Sequence, residues 1–334
     1  MFVEAYRMDH TIPCTTSNCL IAGNSCTNLP VSLCSGLGTG RVQVWGEDPS
    51  SPIFEGDLGR QSGAVSSVDC LNVRGVLPRI GAGDSRGNVG LFQVKADAFE
   101  RLSLRRLHDV GVTCVSMNKF CSPLMISVSE DGKSVVSDIQ SLGVVNETVE
   151  KDNSCLNSVL FWNQNTAALG GQSPSGPLRV WDVRDKSSVP VRNISNPAAN
   201  APSGMSLVSL TSHPSLPYQI VSGDSDGGIS LWDLRNQSIV CRIESHSSAV
   251  RCLVSHPDKP DFIISASDDG SIISHDVSRP ERQAGFLSSS DGMGCISMDI
   301  CSDEVNGPLI LVGTMDESVS VQELYPFLRG GNQS

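Results

Sequence analysis

Apolar and polar residues alternate in short runs along the chain, and small residues bracket the runs. In GGISLWDLRN (227–236), Ile229 and Leu231 alternate with Ser230 ahead of Trp232-Asp233. Asp226-Gly227, at its entry, is a dipeptide that favours a tight hairpin turn. The stretch predicts a short strand entered through a turn. Seven variants of it occur: GRVQVWGE (40–47), GNVGLFQV (87–94), GKSVVSDI (132–139), GPLRVWDV (176–183), GGISLWDL (227–234), GSIISHDV (270–277) and ESVSVQEL (317–324). Aligned on Trp232, the repeated position holds Trp45, Phe92, Ser137, Trp181, Trp232, His275 and Gln322, at spacings of 43 to 51 residues. The longest spacing contains NPAANAPSG (196–204), which reads as a loop insertion.

A second strand precedes each turn: VSLCSG, PRIGAG, LMISVS, TAALGG, QIVSGD, FIISAS and LILVGT. A third lies further upstream: VSSVDCL, VTCVSM, CLNSVLFW, MSLVSL, VRCLVS and CISMDI. Such near-continuous apolar and small runs are expected of strands covered on both faces. A repeat of this period with Trp-Asp ends is the signature of propeller blades. The expected fold is all-β: a single seven-bladed β-propeller of four-stranded antiparallel blades, one domain over 1–334. Only twelve residues follow Gln322, so the last unit lacks an outer strand. The alternating MFVEAYR at the N-terminus is expected to supply it and close the last blade.

Composition narrows the function. The net charge is -12, with 24 Lys and Arg against 36 Asp and Glu. That balance argues against direct nucleic-acid binding and against an anionic membrane surface. No signal peptide and no run long and apolar enough for membrane insertion is expected. The twelve Cys are therefore expected as reduced thiols, and the sequons at Asn146, Asn193 and Asn236 as unglycosylated. Cys14, Cys19, Cys26 and Cys34 lack paired metal-knuckle spacing, and Cys70, Cys114, Cys252 and Cys295 recur in the third strands, where packing is the default reading. GAGDSRG (81–87) lies between two strands rather than before a helix, so it is not a phosphate cradle. His213-Pro214 and His256-Pro257 hold equivalent places and read as turn residues. No catalytic, cofactor-binding or metal residue is assigned, no cofactor is expected, and no enzyme activity is expected.

The seven units resemble WD repeats over nearly the whole chain. In that family a His, a Ser or Thr, an Asp and the Trp often form a hydrogen-bonded tetrad. Here the sixth unit offers His246, Ser265 and Asp269 with His275 at the Trp position. The third offers His108, Ser127 and Asp131 with Ser137 there. The fifth offers Ser222, Asp226 and Trp232 without a matching His. No complete tetrad is expected.

Within the WD proteins, LCSGLGTGRVQVW, SEDGKSVVSD, SGPLRVWDVRD, SDGGISLWDLRN, SDDGSIISHDVS and PLILVGTMDESVSVQEL are similar, in this order, to the small WD-repeat nucleoporins of the Y-shaped outer ring. The resemblance implies a non-catalytic scaffold subunit of the nuclear pore complex at the nuclear envelope. Its implied partners are the other outer-ring nucleoporins, in particular the short-arm α-solenoid subunit, and it further implies a place at kinetochores in mitosis. The chain is expected to be monomeric outside the complex. None of its nine Phe precedes Gly, which fits a scaffold rather than a permeability barrier. A second reading rests on the WDxR ends at Trp181–Arg184 and Trp232–Arg235, which look like the motif that docks substrate receptors to the adaptor of cullin-RING ubiquitin ligases. Its plainer counterpart is an Arg bridging an Asp within its own sheet. A chromatin reader ranks third, since 5% aromatics leave no evident aromatic cage. Ser51-Pro52, Ser122-Pro123 and Ser173-Pro174 are minimal proline-directed phosphorylation sites. No partner-binding residue is assigned.

Overall fold

The computed structural model describes residues 6–7, 17–21, 32–45, 52–59, 61–72, 77–120, 122–150, 154–173, 176–185, 192–194, 205–213, 216–256, 259, 261–279, 283–288, 293–303, 307–315 and 318–323. Among these there is no helix; every regular element is a strand. The chain divides into two compact units, Ile12–Asn193 and Met1–Thr11 with Ile194–Ser334. The short β1 (Tyr6–Arg7) belongs to the second of these.

The unit Ile12–Asn193 holds four sheets, each four-stranded and built in chain order. The first is β2 (Ser17–Ile21), β3 (Ser32–Gly36), β4 (Arg41–Trp45) and β5 (Phe54–Asp57). The second is β6 (Val65–Leu71), β7 (Arg79–Asp84), β8 (Asn88–Val94) and β9 (Phe99–Arg106). The third is β10 (Val112–Met117), β11 (Leu124–Ser129), β12 (Lys133–Asp138) and β13 (Val144–Val149). The fourth is β14 (Cys155–Phe161), β15 (Thr166–Gln172), β16 (Leu178–Asp182) and β17 (Arg192–Ile194).

The other unit holds three sheets. The fifth is β18 (Leu207–Ser212), β19 (Gln219–Asp224), β20 (Gly228–Asp233) and β21 (Ser238–Glu244). The sixth is β22 (Val250–Ser255), β23 (Phe262–Ser267), β24 (Ser271–Asp276) and β25 (Gln283–Ser288). The seventh is β26 (Cys295–Asp303), β27 (Gly307–Thr314) and β28 (Ser318–Glu323), and β1 pairs antiparallel with β28 as its outer strand, Tyr6 opposite Val319. The expected N-terminal strand is thus in place. NPAANAPSG (196–204) lies outside the described residues.

The β-strand periodicity translates directly into packing. The third strand of each of the first six sheets is largely buried, as in GISLWD of β20. Apolar clusters join neighbouring sheets within each unit. Val42 and Val44 of the first sheet pack with Val65, Ile80 and Phe92 of the second. Val221 and Ile229 of the fifth pack with Val250 and Ile263 of the sixth. Both faces of these strands are therefore covered, and each such Val or Ile contributes about 1.5–3 kcal/mol on burial.

The turn glycines recur at one repeat position with positive φ: Gly40, Gly87, Gly132, Gly227 and Gly270, at 78° to 92°. At Gly227 a Cβ would stand 2.1 Å from the carbonyl oxygen of His246, and Gly227 in turn accepts the His246 amide. The turn is thus locked to the segment after β21.

Candidate functional site

The position that names the repeat faces a fixed place on the neighbouring strand. Trp45 pairs with Leu33 and Trp232 with Ile220. Two residues further on, Ser35 and Ser222 accept the indole N–H at 3.0 and 2.8 Å. In the second sheet Phe92 lies opposite Ile80, and Ala82 takes the serine's place; neither needs a polar partner. In the fourth sheet Trp181 lies opposite Ala167, and Leu169 takes that place. The Trp181 indole nitrogen is buried without a hydrogen-bond partner among the described residues.

No tetrad with Trp forms in the sixth sheet, but the same places build a network around His275. His275 lies opposite Ile263, and its Nε2 shares a hydrogen bond with Ser265 Oγ at 2.8 Å. Ser265 Oγ is also 2.7 Å from His246 Nε2, and His246 Nδ1 is hydrogen-bonded at 2.7 Å to Ser271, which donates to Asp269. Asp269, His246, Ser265 and His275 form one network, because an imidazole nitrogen reaches where an indole nitrogen otherwise would. The third sheet builds a smaller one, with His108 bonded to Ser127 at 2.7 Å and to Ser129 at 2.9 Å, and Ser129 donating to Asp131.

Ser265, His246 and Asp269 are the residue types of a hydrolytic triad, yet the serine is fully buried within β23 and held between two imidazoles. The arrangement is a structural clamp. Burial lowers the pKa of His275 and of His108 to about 4. Burial also lowers that of His246, against the opposing charge of Asp269. Burial would raise Asp269, but hydrogen bonds from Ser271 and Ser247 hold it at about 2.

The two indoles make a matched test. Trp232→Phe removes a satisfied hydrogen bond and leaves Ser222 bare, whereas Trp181→Phe removes an N–H that has no partner. Trp232→Phe is expected to cost roughly 1–2 kcal/mol more than Trp181→Phe in urea unfolding. Equal losses would contradict the register argument.

The Asp of the Trp-Asp ends shapes the following turn. Asp182 and Asp233 each accept the amide of the Arg two residues on, at 3.0 and 2.9 Å. Asp138 and Asp276 do the same for Gln140 and Ser278. Arg184 and Arg235 also close bidentate pairs on their own Asp182 and Asp233, with Nη2 to Oδ2 at 2.7 and 2.8 Å. Arg235 lies over the Tyr218 ring, 5.1 Å from its centroid. The Arg235 hydrogen bonds lower Asp233 to about 2, and the Arg184 hydrogen bonds likewise lower Asp182. Both arginines are thus engaged within their own sheets.

Comparison with known proteins agrees with this repeat geometry. The family model described as "WD domain, G-beta repeat" matches residues 237–276, the stretch that ends at the His275-Asp276 end of the sixth sheet. Nucleoporin Nup43 of Mus musculus is 27% identical over 128 residues, 38% of this chain and 32% of that protein. Nucleoporin Nup43 of Homo sapiens is 26% identical over 139 residues, 41% of this chain and 33% of that protein. This chain carries a WD repeat and resembles Nup43. Nuclear distribution protein PAC1 of Komagataella phaffii is also similar, 26% identical over 166 residues, 46% of this chain and 32% of that protein. The matched stretches thus span about a third of each relative's length.

The remaining motifs resolve as parts of the repeated sheets. In GAGDSRG, Asp84 is fully buried and fills the turn from within, accepting the amides of Gly63, Arg86 and Asn88 and the Asn88 side chain at 2.8–2.9 Å. His213 and His256 each accept, through Nδ1, the amide three residues on, at 3.1 Å in both cases. Cys14 and Cys26 lie outside the described residues, as does Ser51. Among the described residues no group of three His, Cys, Asp or Glu could hold a metal ion. Cys70 and Cys295 are buried, and burial raises Cys252 to about 12 and Cys295 to about 11.

The inner strands carry a device that the sequence pattern conceals. Their small polar side chains reach sideways to the next sheet's inner strand. Ser67 accepts the Val115 amide at 3.0 Å and Asp69 that of Met117 at 2.7 Å. Thr113 donates to the Leu156 carbonyl at 2.6 Å, and Ser209 to that of Val250 at 2.8 Å. A one-residue register shift recurs near the start of β6, β10, β14, β18, β22 and β26. Such bulges re-aim side chains, here Ser66 and Thr113 toward carbonyls of the adjoining sheet.

Proposed function

We propose that this chain is a non-catalytic scaffold subunit of the nuclear pore complex outer ring at the nuclear envelope, a docking platform for an α-solenoid nucleoporin. The reading treats the seven sheets as one seven-bladed propeller domain over 1–334, supported by the even sequence repeat. The similarity to Nup43 carries it. Fold alone would not choose a partner. The motifs shared with the outer-ring family run in the same order along the chain, and the polar clusters resolved here serve the sheets themselves. A cullin-RING receptor role is less well supported, because Arg184 and Arg235 are both occupied by aspartates of their own sheets.

Gentle affinity purification of the chain tagged at its natural level tests the proposal. Outer-ring nucleoporins are expected in the eluate, with an α-solenoid subunit retained longest as salt is raised. A cullin adaptor in their place, lost on mutating Arg184 and Arg235 to Ala, would overturn it.

A further inference from the structure

Arg41, Arg101, Arg184, Arg235 and Arg251 are each paired with a carboxylate. Arg86, Arg105 and Arg106 are not, among the described residues. All three lie at one end of the second sheet. Arg106 is opposite Asn88 and Arg105 opposite Val89 across β8 and β9, and Arg86 stands in the turn that leads into β8. Arg86 donates to the Gln61 carbonyl at 3.3 Å, and Arg106 to the carbonyls of His108 and Asp109 at 3.3 and 2.9 Å. Arg105 is exposed and makes no hydrogen bond or ion pair among the described residues. Of the nearby acidic side chains, Asp57 is paired with Arg101 and Glu100 with Lys95, while Asp84 and Asp109 offset part of the charge without pairing with Arg105.

A local cluster of arginines stands out in a chain of net charge -12. It sits on an open edge. Among the described residues β9 pairs with β8 on one side only, and at eight residues it exceeds the outer strands β5, β13 and β21 of four, six and seven. Leu102, where the register of β9 shifts, is 37% exposed. Edge amides, the free Arg105 guanidinium and one exposed apolar side chain together match an extended peptide with acidic residues on the face that meets Arg105. We infer that β9 docks an extended acidic segment of a partner protein, added as a fifth strand and held by Arg105, Arg106 and Arg86. A nucleic acid fits less well, because the overall negative charge repels a polyanion and an edge strand offers its backbone nothing to pair with. The inference does not depend on which complex the chain joins.

Fluorescence anisotropy on the full chain tests this, with a labelled alternating Glu-Val peptide at low salt. The peptide is expected to bind, and Arg105→Glu is expected to weaken it about tenfold. That variant removes no internal contact, so its melting temperature should be unchanged. Adding Arg106→Glu should weaken binding further. A peptide N-methylated at alternate amides should bind at least about tenfold more weakly, since it cannot pair with an edge. No binding, equal binding of the Lys-Val peptide or of the N-methylated peptide, or tighter binding of single-stranded RNA would each overturn the inference. Unchanged affinity in Arg105→Glu would do so as well. In those cases the arginines serve only to keep the edge from self-association.

Discussion

Between pH 7 and pH 5 the protein is expected to lose about 2 kcal/mol of stability through each of His275 and His108. Both histidines sit inside their sheets, and burial holds each at about 4 against an ordinary value of 6.5. For His108, Lys133 adds to the lowering while Asp131, Asp109 and Glu147 oppose it; for His275, His246 adds to it. The unfolded chain takes up protons from pH 6.5 downward, whereas the folded chain takes them up only near pH 4. Stability is thus fully present above 6.5 and falls progressively as the pH drops through the interval between the two values. A shift of one pKa unit is worth about 1.4 kcal/mol, which sets the scale at pH 5. Loss from Asp269 and Asp233, held at about 2, belongs to a lower window, below the ordinary carboxylate value of 3.8. Urea unfolding at pH 7, 6, 5 and 4.5 reads the first window directly. His275→Trp places at this position the indole used at Trp45 and Trp232, with Ser265 ready to accept it. The part of the loss that His275 contributes between pH 7 and 5, about 2 kcal/mol, should disappear in that variant, whatever its stability at pH 7. An unchanged pH dependence would show that His275 is not buried as neutral imidazole.

The second large effect is conformational. Gly227→Ala is expected to destabilise the protein by about 3 kcal/mol. Its φ of 92° is one that side-chain-bearing residues adopt at a cost, and the new Cβ would meet the His246 carbonyl oxygen at 2.1 Å. Backbone cannot give way as a flexible side chain can, and that carbonyl belongs to the segment leading from β21 to β22. Gly87→Ala should behave alike, since its Cβ would meet the His108 carbonyl oxygen at 2.2 Å at a φ of 85°. Gly143→Ala is the control: the nearest atom is the hydroxyl of Ser141, at 3.1 Å, and a side chain can turn away. The midpoints of urea unfolding should separate the first two from the third. Near-neutral values for Gly227 and Gly87 would contradict the account of the repeated turn.

These particular residues also show how far the pattern of the chain could be read in advance. The strands after the repeated turn, such as GISLWD, and those before it, such as QIVSGD, are legible because both faces are covered and apolar residues run through them. MFVEAYR was legible as an outer strand from the missing partner of β28, and Tyr6–Arg7 takes that place. The outer strands FERLSLRR and VVNETV were not legible, because half-exposed edges mix charge with apolar residues and blur the alternation. β2 was missed for want of a long apolar run. The His275 network was hidden because a search for tryptophan treats histidine as a loss, although either side chain can bond to the serine. Ser67, Asp69 and Thr113 look like small filler in a strand; their sideways bonds exist only once a second sheet stands beside them. The cluster of Arg86, Arg105 and Arg106 was invisible for a related reason. A sequence counts charges, but only a fold shows which of them lack a partner.

The proposal that this chain is part of the nuclear pore scaffold is tested most directly by imaging the tagged protein at its natural level. The account predicts a punctate rim at the nuclear envelope that coincides with outer-ring nucleoporins and persists after brief detergent extraction. A diffuse nuclear or cytoplasmic signal, washed out by the same extraction, would contradict it.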